Sequence, residues 1–225
     1  AMKVTIHLPN GLPADAYLDD LKREFHAEAF VGLSTDGDAL DAVHAAYPNA
    51  DILVRFYAAD RMWMRAEERA RQDGEWLRQH LWVRHVTPAN ELNLLVEHQG
   101  WSGGDWNTPA SYQFINQWLL EWRRAMMPLI TDRGLIFHWP ALSPQPDELA
   151  HLHLCAESLQ AYDVIDLHHY GPEVLQDRLD PYIGLRGNPK PFWLTEVNGG
   201  ADGDQLAFMR HFRDIGALYG QFQGA

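Results

Sequence analysis

Short β-rich runs alternate with runs of helical periodicity along almost the whole chain. A period of two residues marks half-buried strands, and apolar residues recurring every three or four positions mark amphipathic helices. Strict alternation of the two predicts parallel strands joined by crossover helices, and therefore an α/β fold. The β-rich runs are 3–8, 29–34, 51–58, 83–91, 134–139, 163–170 and 192–196, and the helical runs are 15–26, 38–47, 64–80, 108–126, 147–161, 172–182 and 204–219.

The composition is typical of a soluble globular protein. The chain has 225 residues, of which 46% are hydrophobic, and this favours one domain spanning 1–225. It contains no run of about 18 apolar residues, as a membrane helix requires, and no signal peptide is visible at its start. With Cys155 as its one cysteine, the chain can form no internal disulfide, and Cys155 is expected to be a small buried apolar residue.

The charge of the chain restricts its partners. A formal net charge of −13 argues against nucleic acid or an anionic membrane as the main partner, because both attract basic surfaces. A neutral substrate fits better. Among the nine tryptophans, Trp106 and Trp139 fall near predicted strand ends, where their rings could contact a sugar or simply fill the core. Trp118 and Trp122 recur with helical spacing and are expected in the core, whereas the charges of 64–80 are expected to face solvent.

Polar side chains close most of the predicted strands. In a barrel of parallel strands the carboxyl ends meet at one rim, so residues far apart in sequence converge there. Glu91 ends the fourth β-rich run and Glu196 ends the seventh, which suggests a site with two carboxylates. The polar and aromatic residues expected at this rim are His7, Arg55, Tyr57, Asn90, Glu91, His138, Trp139, His168, Tyr170, Glu196 and Asn198.

The pair Asn90-Glu91 on the fourth strand, with Glu196 on the seventh, resembles the (β/α)8 glycoside hydrolases of clan A. The resemblance implies a TIM-barrel fold and a retaining β-glycoside hydrolase that cleaves a polysaccharide or oligosaccharide without a cofactor or metal. It further implies that Glu91 is the acid/base and Glu196 the nucleophile. His168 and Tyr170 are similar to the His-x-Tyr at the sixth strand of that clan, and His138-Trp139 to its fifth. The implied substrate-binding residues are Arg55, Asn90, Trp106, His138, Trp139, His168, Tyr170 and Asn198.

An eighth βα unit is expected to be missing or vestigial. A barrel of eight units typically takes about 250 residues, and only 221–225 follow the seventh helical run here. A gap in the barrel would leave unpaired strand edges, and such edges favour association with another chain. The sequence therefore predicts a homo-oligomer formed through the open barrel edge.

Two other functions remain open from the sequence. The first is a carbohydrate-binding barrel that has lost its activity, which the missing eighth strand would explain. The second is a metal-dependent hydrolase that uses His7, His138, His168 and a carboxylate, since imidazole and carboxylate groups are common zinc ligands.

Overall fold

The computed structural model describes residues 2–4, 6–7, 29–56, 65–94, 106–145, 147–170, 175–185 and 190–198. For 2–4, 6–7, 169–170, 175–176, 178 and 196–198 the description is restricted to the backbone. The predicted helices 15–26 and 204–219 lie outside the described residues, as does Tyr57.

All seven predicted β-rich runs contain strands, and every strand pairing is parallel. The first run holds two short strands separated by Thr5. The strands are β1 (Met2–Val4), β2 (Ile6–His7), β3 (Ala29–Leu33), β4 (Asp51–Arg55), β5 (His85–Thr87), β6 (Ile136–Trp139), β7 (Val164–Tyr170) and β8 (Phe192–Asn198). The prediction of an α/β fold with a parallel sheet is confirmed.

In the described ranges, helices follow the strands as the sequence indicates, with one difference. The predicted helix 147–161 is broken by a 3-10 segment, Leu152–Cys155. The helix 108–126 begins as expected, because Thr108 Oγ1 accepts a hydrogen bond from the Ser111 amide at 3.3 Å and Pro109 follows the cap. The helices are α1 (Gly37–Ala46), α2 (Ala66–Gln79), α3 (Pro109–Met126), α4 (Glu148–His151), α5 (Ala156–Ala161) and α6 (Leu175–Leu185).

The first segment of the chain joins the two ends of the sheet. The strand order is β1-β8-β7-β6-β5-β4-β3-β2, so β1 pairs with β8 while β2, one residue further along, pairs with β3. The sheet therefore curls until its ends meet in residues 2–7. The described residues fill seven strand positions and do not show a full eight-unit barrel.

The expected open edge is wrong over residues 192–194. Phe192, Trp193 and Leu194 pair with Met2, Lys3 and Val4, so at this register β8 already has a neighbour on both sides. Over these residues there is no unpaired strand edge to favour association with another chain. The homo-oligomer stays a prediction.

Tryptophans pack between the sheet and the surrounding helices. Trp118 and Trp122 of α3 are buried in the main apolar cluster, which confirms their assignment to the core, and Cys155 is buried beside them. A second, smaller cluster lies on the enclosed face of the sheet and contains Leu53 and Trp193.

The expectation that the charges of 64–80 all face solvent is wrong for two of them. Arg69 and Asp73 are 5% and 4% exposed, and Arg69 Nε lies 3.0 Å from Asp73 Oδ1. Trp122 Nε1 donates a second hydrogen bond to Asp73 Oδ2 at 2.9 Å. A buried carboxylate needs such partners because water no longer solvates it. This ion pair therefore lies at the packing contact between α2 and α3.

Among the helices of the described ranges, none combines the length and the apolar character needed to cross a membrane.

Candidate active site

Glu91 has an unusual backbone conformation. It follows β5 and adopts a φ of +23°, the one positive φ of a non-glycine residue in the described part of the chain. L-residues seldom adopt positive φ, and strained backbone of this kind is concentrated at functional sites. The residue is 8% exposed, so its carboxylate is almost fully removed from water. The fold therefore holds Glu91 in a costly conformation in the segment that follows β5.

His168 of β7 contacts Glu91 and is itself held by Arg55 of β4. Its Nδ1 lies 2.8 Å from Glu91 Oε1, and its Nε2 lies 3.3 Å from Arg55 Nη2. A guanidinium can only donate hydrogen bonds, so Nε2 accepts from Arg55 and carries no proton. The ring proton is then on Nδ1, which donates to Glu91. The three side chains are buried together, and Arg55 fixes the tautomer that His168 presents to the carboxylate.

The backbone register places Glu196 directly across from His168. The pairing of β7 with β8 matches Leu167 to Leu194 and His168 to Glu196, which leaves Thr195 as an extra residue in β8. This irregularity is a β-bulge, and bulges re-aim the residues that follow them. If the one-to-one pairing of Leu167 with Leu194 simply continued, His168 would pair with Thr195 instead of Glu196. The bulge therefore brings the second predicted carboxylate residue to the strand position beside the His168–Glu91 contact.

Two predicted substrate-binding tryptophans lie in the core instead. Trp139 is fully buried on the helix side of β6, where its Nε1 donates to Ser158 Oγ at 3.0 Å and its ring meets Tyr182. Trp106 is buried as well, and its Nε1 donates to the Leu92 carbonyl at 2.7 Å. The expectation that these rings contact a sugar is corrected: both supply apolar packing and satisfy their single donor within the protein.

His138 also differs from the expectation of a rim residue. It is fully buried on the enclosed face of β6, and both of its ring nitrogens have protein partners, His85 at 2.9 Å and Asp166 at 2.7 Å. The neighbouring residues His138 and Trp139 lie on opposite faces of one strand, as the two-residue period of a strand requires. His138 therefore belongs to the interior of the sheet rather than to the surface that a substrate would touch.

The remaining predicted residues are placed by their backbone. Asn90 immediately precedes Glu91 and is half-buried. Tyr170 and Asn198 are register partners at the carboxyl ends of β7 and β8, so the strands carry them to the same rim as His168 and Glu196. His7 ends β2, and its side chain is outside the description.

Sequence reasoning overlooked His85 and Asp166, which the fold brings into contact with His138. A signal was available, because Asp166 and His168 are two residues apart in one β-rich run and must share a face. His85 lies in the fourth β-rich run and is followed two residues later by Thr87. Polar residues alternating inside strands that are buried on both faces indicate a polar interior.

Metal binding by His138 and His168 finds no support in their contacts. Each of these rings already uses both nitrogens on protein partners. Within the described ranges, no three His, Cys, Asp or Glu side chains are grouped so that they could hold a metal ion.

Comparison with known proteins identifies no family for the chain. No protein-family model matches the chain. No curated protein matches it either. One similar solved structure is a GH128 (subgroup VI) exo-β-1,3-glucanase from Aureobasidium namibiae, with 12% identity, a TM-score of 0.49, and coverage of 91% of this chain and 73% of that chain. Another is a GH5 xyloglucan-specific endo-β-1,4-glucanase from a metagenomic library, in complex with cellotriose, with 12% identity, a TM-score of 0.45, and coverage of 90% and 89%.

Proposed function

We propose that this protein is a retaining β-glycoside hydrolase that acts on a polysaccharide or oligosaccharide. One observation carries the proposal: the strained, buried Glu91 accepts a hydrogen bond from His168, and His168 is the register partner of Glu196. A retaining enzyme needs its two carboxyl groups about 5 to 5.5 Å apart. Glu91 follows β5 and Glu196 lies on β8, and the support for their approach is that His168 of β7 contacts the first and pairs with the second.

Glu91 is the acid/base in this proposal, and its two oxygens have different roles. Oε1 accepts from the Nδ1–H of His168, and we assign the proton for the leaving group to Oε2. When Oε2 gives up that proton, the resulting carboxylate keeps the hydrogen bond at Oε1. Charge-assisted hydrogen bonds are stronger than neutral ones, so the contact stabilises the ionised product of the step more than the acid.

Glu196 is the nucleophile. Its carboxylate forms a bond to the anomeric carbon while the bond from that carbon to the leaving oxygen breaks, and Glu91 protonates that oxygen. In the second step a water gives its proton to Glu91, and the water oxygen displaces Glu196 from the anomeric carbon. The configuration is inverted twice and is therefore retained.

Arg55 acts through His168 in this scheme. It touches the imidazole at Nε2 and so keeps the proton on Nδ1, where Glu91 needs it. Asn90, adjacent to Glu91 in the chain, is the residue proposed to hydrogen-bond the 2-hydroxyl of the sugar. Tyr170 and Asn198, at the same rim, are proposed to contact substrate.

The test is covalent trapping with a panel of activated 2-deoxy-2-fluoro glycosides, followed by intact mass measurement and peptide mapping. We expect a sugar adduct on the peptide that contains Glu196. Glu196→Gln should abolish the adduct. Glu91→Gln should still form it, since an activated leaving group needs no acid, but should lose turnover of natural glycans.

The opposite result is equally informative. If wild type forms no adduct and releases no sugar from any glycan of the panel, yet binds glycans equally well before and after both substitutions, the protein is a carbohydrate-binding barrel and the hydrolase proposal fails.

A further inference from the structure

The chain immediately after Glu91 is held by hydrogen bonds. The Leu94 amide donates to the Glu91 carbonyl at 2.8 Å and closes a turn over residues 91–94, which we call the Glu91 turn. Within the turn, the Leu92 carbonyl accepts a hydrogen bond from Trp106 Nε1 at 2.7 Å. Leu92 and Trp106 are both buried, so this bond forms out of reach of bulk water. The turn is therefore tied to the segment that leads into α3.

Asn93, in the same turn, pairs with both backbone groups of Ser143. Its Nδ2 donates to the Ser143 carbonyl at 2.8 Å, and its Oδ1 accepts from the Ser143 amide at 2.7 Å. A backbone amide can only donate and a carbonyl can only accept, so the two ends of the asparagine side chain cannot be exchanged. Asn93 is 2% exposed and Ser143 is 6% exposed. Loss of this side chain would take a partner from two buried backbone groups at once.

The segment that contains Ser143 is a firm anchor for the turn. It follows β6, and β6 is parallel to the neighbouring β5, so the segment and the Glu91 turn lie at the same edge of the sheet. Pro140 and Pro144 fix the φ angle at two positions of the segment, and Leu142 between them is fully buried. Asn93 therefore joins the turn to a part of the chain that has little freedom to move.

Fixing the residues after Glu91 fixes the direction of its side chain. The chain before Glu91 comes from β5, which is paired with a strand on each side. Rotation about the N–Cα bond of Glu91 moves its Cβ together with the residues that follow. A positive φ is unfavourable for an L-residue, so it persists only where the surrounding structure enforces it. Asn93 and Trp106 supply that constraint, and the carboxylate thereby stays in contact with His168.

We propose that Asn93 and Trp106 are positioning residues that hold Glu91 at its positive φ, so that its carboxylate meets His168 and can protonate the leaving oxygen. The catalytic part rests on the proposed hydrolase function, whereas the dependence of the Glu91–His168 contact on these two residues does not.

The Nδ1–H resonance of His168, observed in long-range ¹H–¹⁵N spectra of the histidine rings, reports this contact directly. Asn93→Ala removes both bonds to Ser143, and we expect the His168 resonance to shift or broaden. Asn116→Ala is the matched control, because Asn116 Oδ1 also accepts from a backbone amide, that of Ser158, at 2.9 Å, but joins α3 to α5. This control should leave the His168 resonance in place.

Trp106→Phe provides a second test, which also serves should Asn93→Ala fail to fold. Phenylalanine keeps most of the ring and loses the donor, so we again expect the His168 resonance to change. Tyr162→Phe is the control, since it removes a buried donor to the Leu119 carbonyl, 2.9 Å away, and should leave that resonance unchanged. The proposal requires a change in each positioning variant that folds, and an unchanged His168 resonance in either would overturn it.

Once a substrate is known, the dependence on the leaving group separates positioning from general damage. An activated aryl leaving group departs without a proton, whereas a sugar leaving group needs the acid Glu91. We expect Asn93→Ala to lower kcat/KM roughly tenfold or more on a natural glycan but less than about twofold on an activated aryl glycoside, because a slightly misplaced catalytic group loses much of its effect.

Equal losses of kcat/KM on the two substrates would indicate a structural role alone and would remove the catalytic part of the proposal. If the protein hydrolyses no glycoside at all, the hydrolase function fails, and the His168 resonance still decides whether Asn93 and Trp106 position Glu91.

Discussion

His168 Nδ1 lies 2.8 Å from Glu91 Oε1, and Arg55 fixes the tautomer that makes His168 the donor in this contact. An asparagine at position 168 can place an amide N–H close to where Nδ1 now lies, whereas alanine cannot. If the proposed hydrolase function holds, we expect His168→Ala to lower kcat roughly 100-fold and His168→Asn roughly tenfold, within the range for groups that assist proton transfer. The measurement is kcat and KM on the best substrate of the panel.

His153→Ala serves as the control for this comparison, because His153 is exposed and, among the described residues, its ring bonds to the Ala150 carbonyl of the preceding helix α4 alone. Its kcat should equal that of wild type. Equal activity of His168→Ala and wild type would show that the contact with Glu91 is not used in turnover.

Asp73 should make the stability depend on pH. Burial raises its pKa from 3.8 to about 6, against the opposing charge of Arg69 and the hydrogen bond from Trp122. The folded state therefore binds this proton more tightly than the unfolded state does. The stabilisation is complete below pH about 4 and is lost as the pH rises through about 6.

Urea unfolding of wild type and Asp73→Asn between pH 4 and 7 measures this effect. Asparagine does not titrate, so the stability of wild type relative to the variant should fall by roughly 3 kcal/mol over that range, from about two pKa units at about 1.4 kcal/mol each. Asp132→Asn changes an exposed carboxylate and should give a profile parallel to wild type. Parallel profiles for Asp73→Asn would contradict the prediction.

The thiol of Cys155 should be inert in the folded protein. Burial raises its pKa to about 12, with a smaller contribution from the nearby charge of Glu148, so almost no thiolate exists at neutral pH. We expect DTNB to react at least about a thousand times more slowly with the native protein than with protein unfolded in urea. Cys155→Ser gives the background rate. Rapid stoichiometric labelling of the native protein would show that the site opens readily.

Arg133 should stabilise the end of α2. Its guanidinium donates to the carbonyls of Leu77, His80 and Val83 at 2.5, 2.9 and 3.2 Å. Helix ends leave such carbonyls without partners inside the helix. We expect Arg133→Met to lower the free energy of unfolding by about 2 to 3 kcal/mol, because hydrogen bonds to charged groups contribute more than neutral ones.

Arg124→Met is the matched control, since Arg124 is an exposed residue of α3. Thermal or urea unfolding of both variants provides the comparison, and a similar small loss in the two would refute a capping role for Arg133.

The order of strands and helices along the chain could be predicted from the sequence, because it depends on hydrophobic periodicity. The face of the sheet on which a given side chain lies could not be predicted. The sheet is buried on both sides, so His138 and Trp139 both follow a strand pattern, and only the structure shows that one faces the interior and the other the helices. Arg69 and Asp73 look like any helical pair of opposite charge, and their burial depends on how α3 packs against α2.

The positions of the two glutamates illustrate the same limit. Glu91 was found because a strand pattern ends there, but its positive φ leaves no mark in the sequence. The match between Glu196 and His168 depends on the extra residue Thr195. A bulge is a matter of pairing between two strands, and one sequence contains no direct record of such pairing.

The division of the first segment between two pairing partners bears on the order of events during synthesis. Ile6 and His7 can pair with β3 as soon as β3 has been synthesised, but Met2 to Val4 must wait for Phe192 to Leu194. Sheet closure is therefore a late event on the ribosome, and contacts so distant in sequence slow folding. Until then the backbone groups of residues 2–4 lack this partner strand and stay open to pairing with other strands.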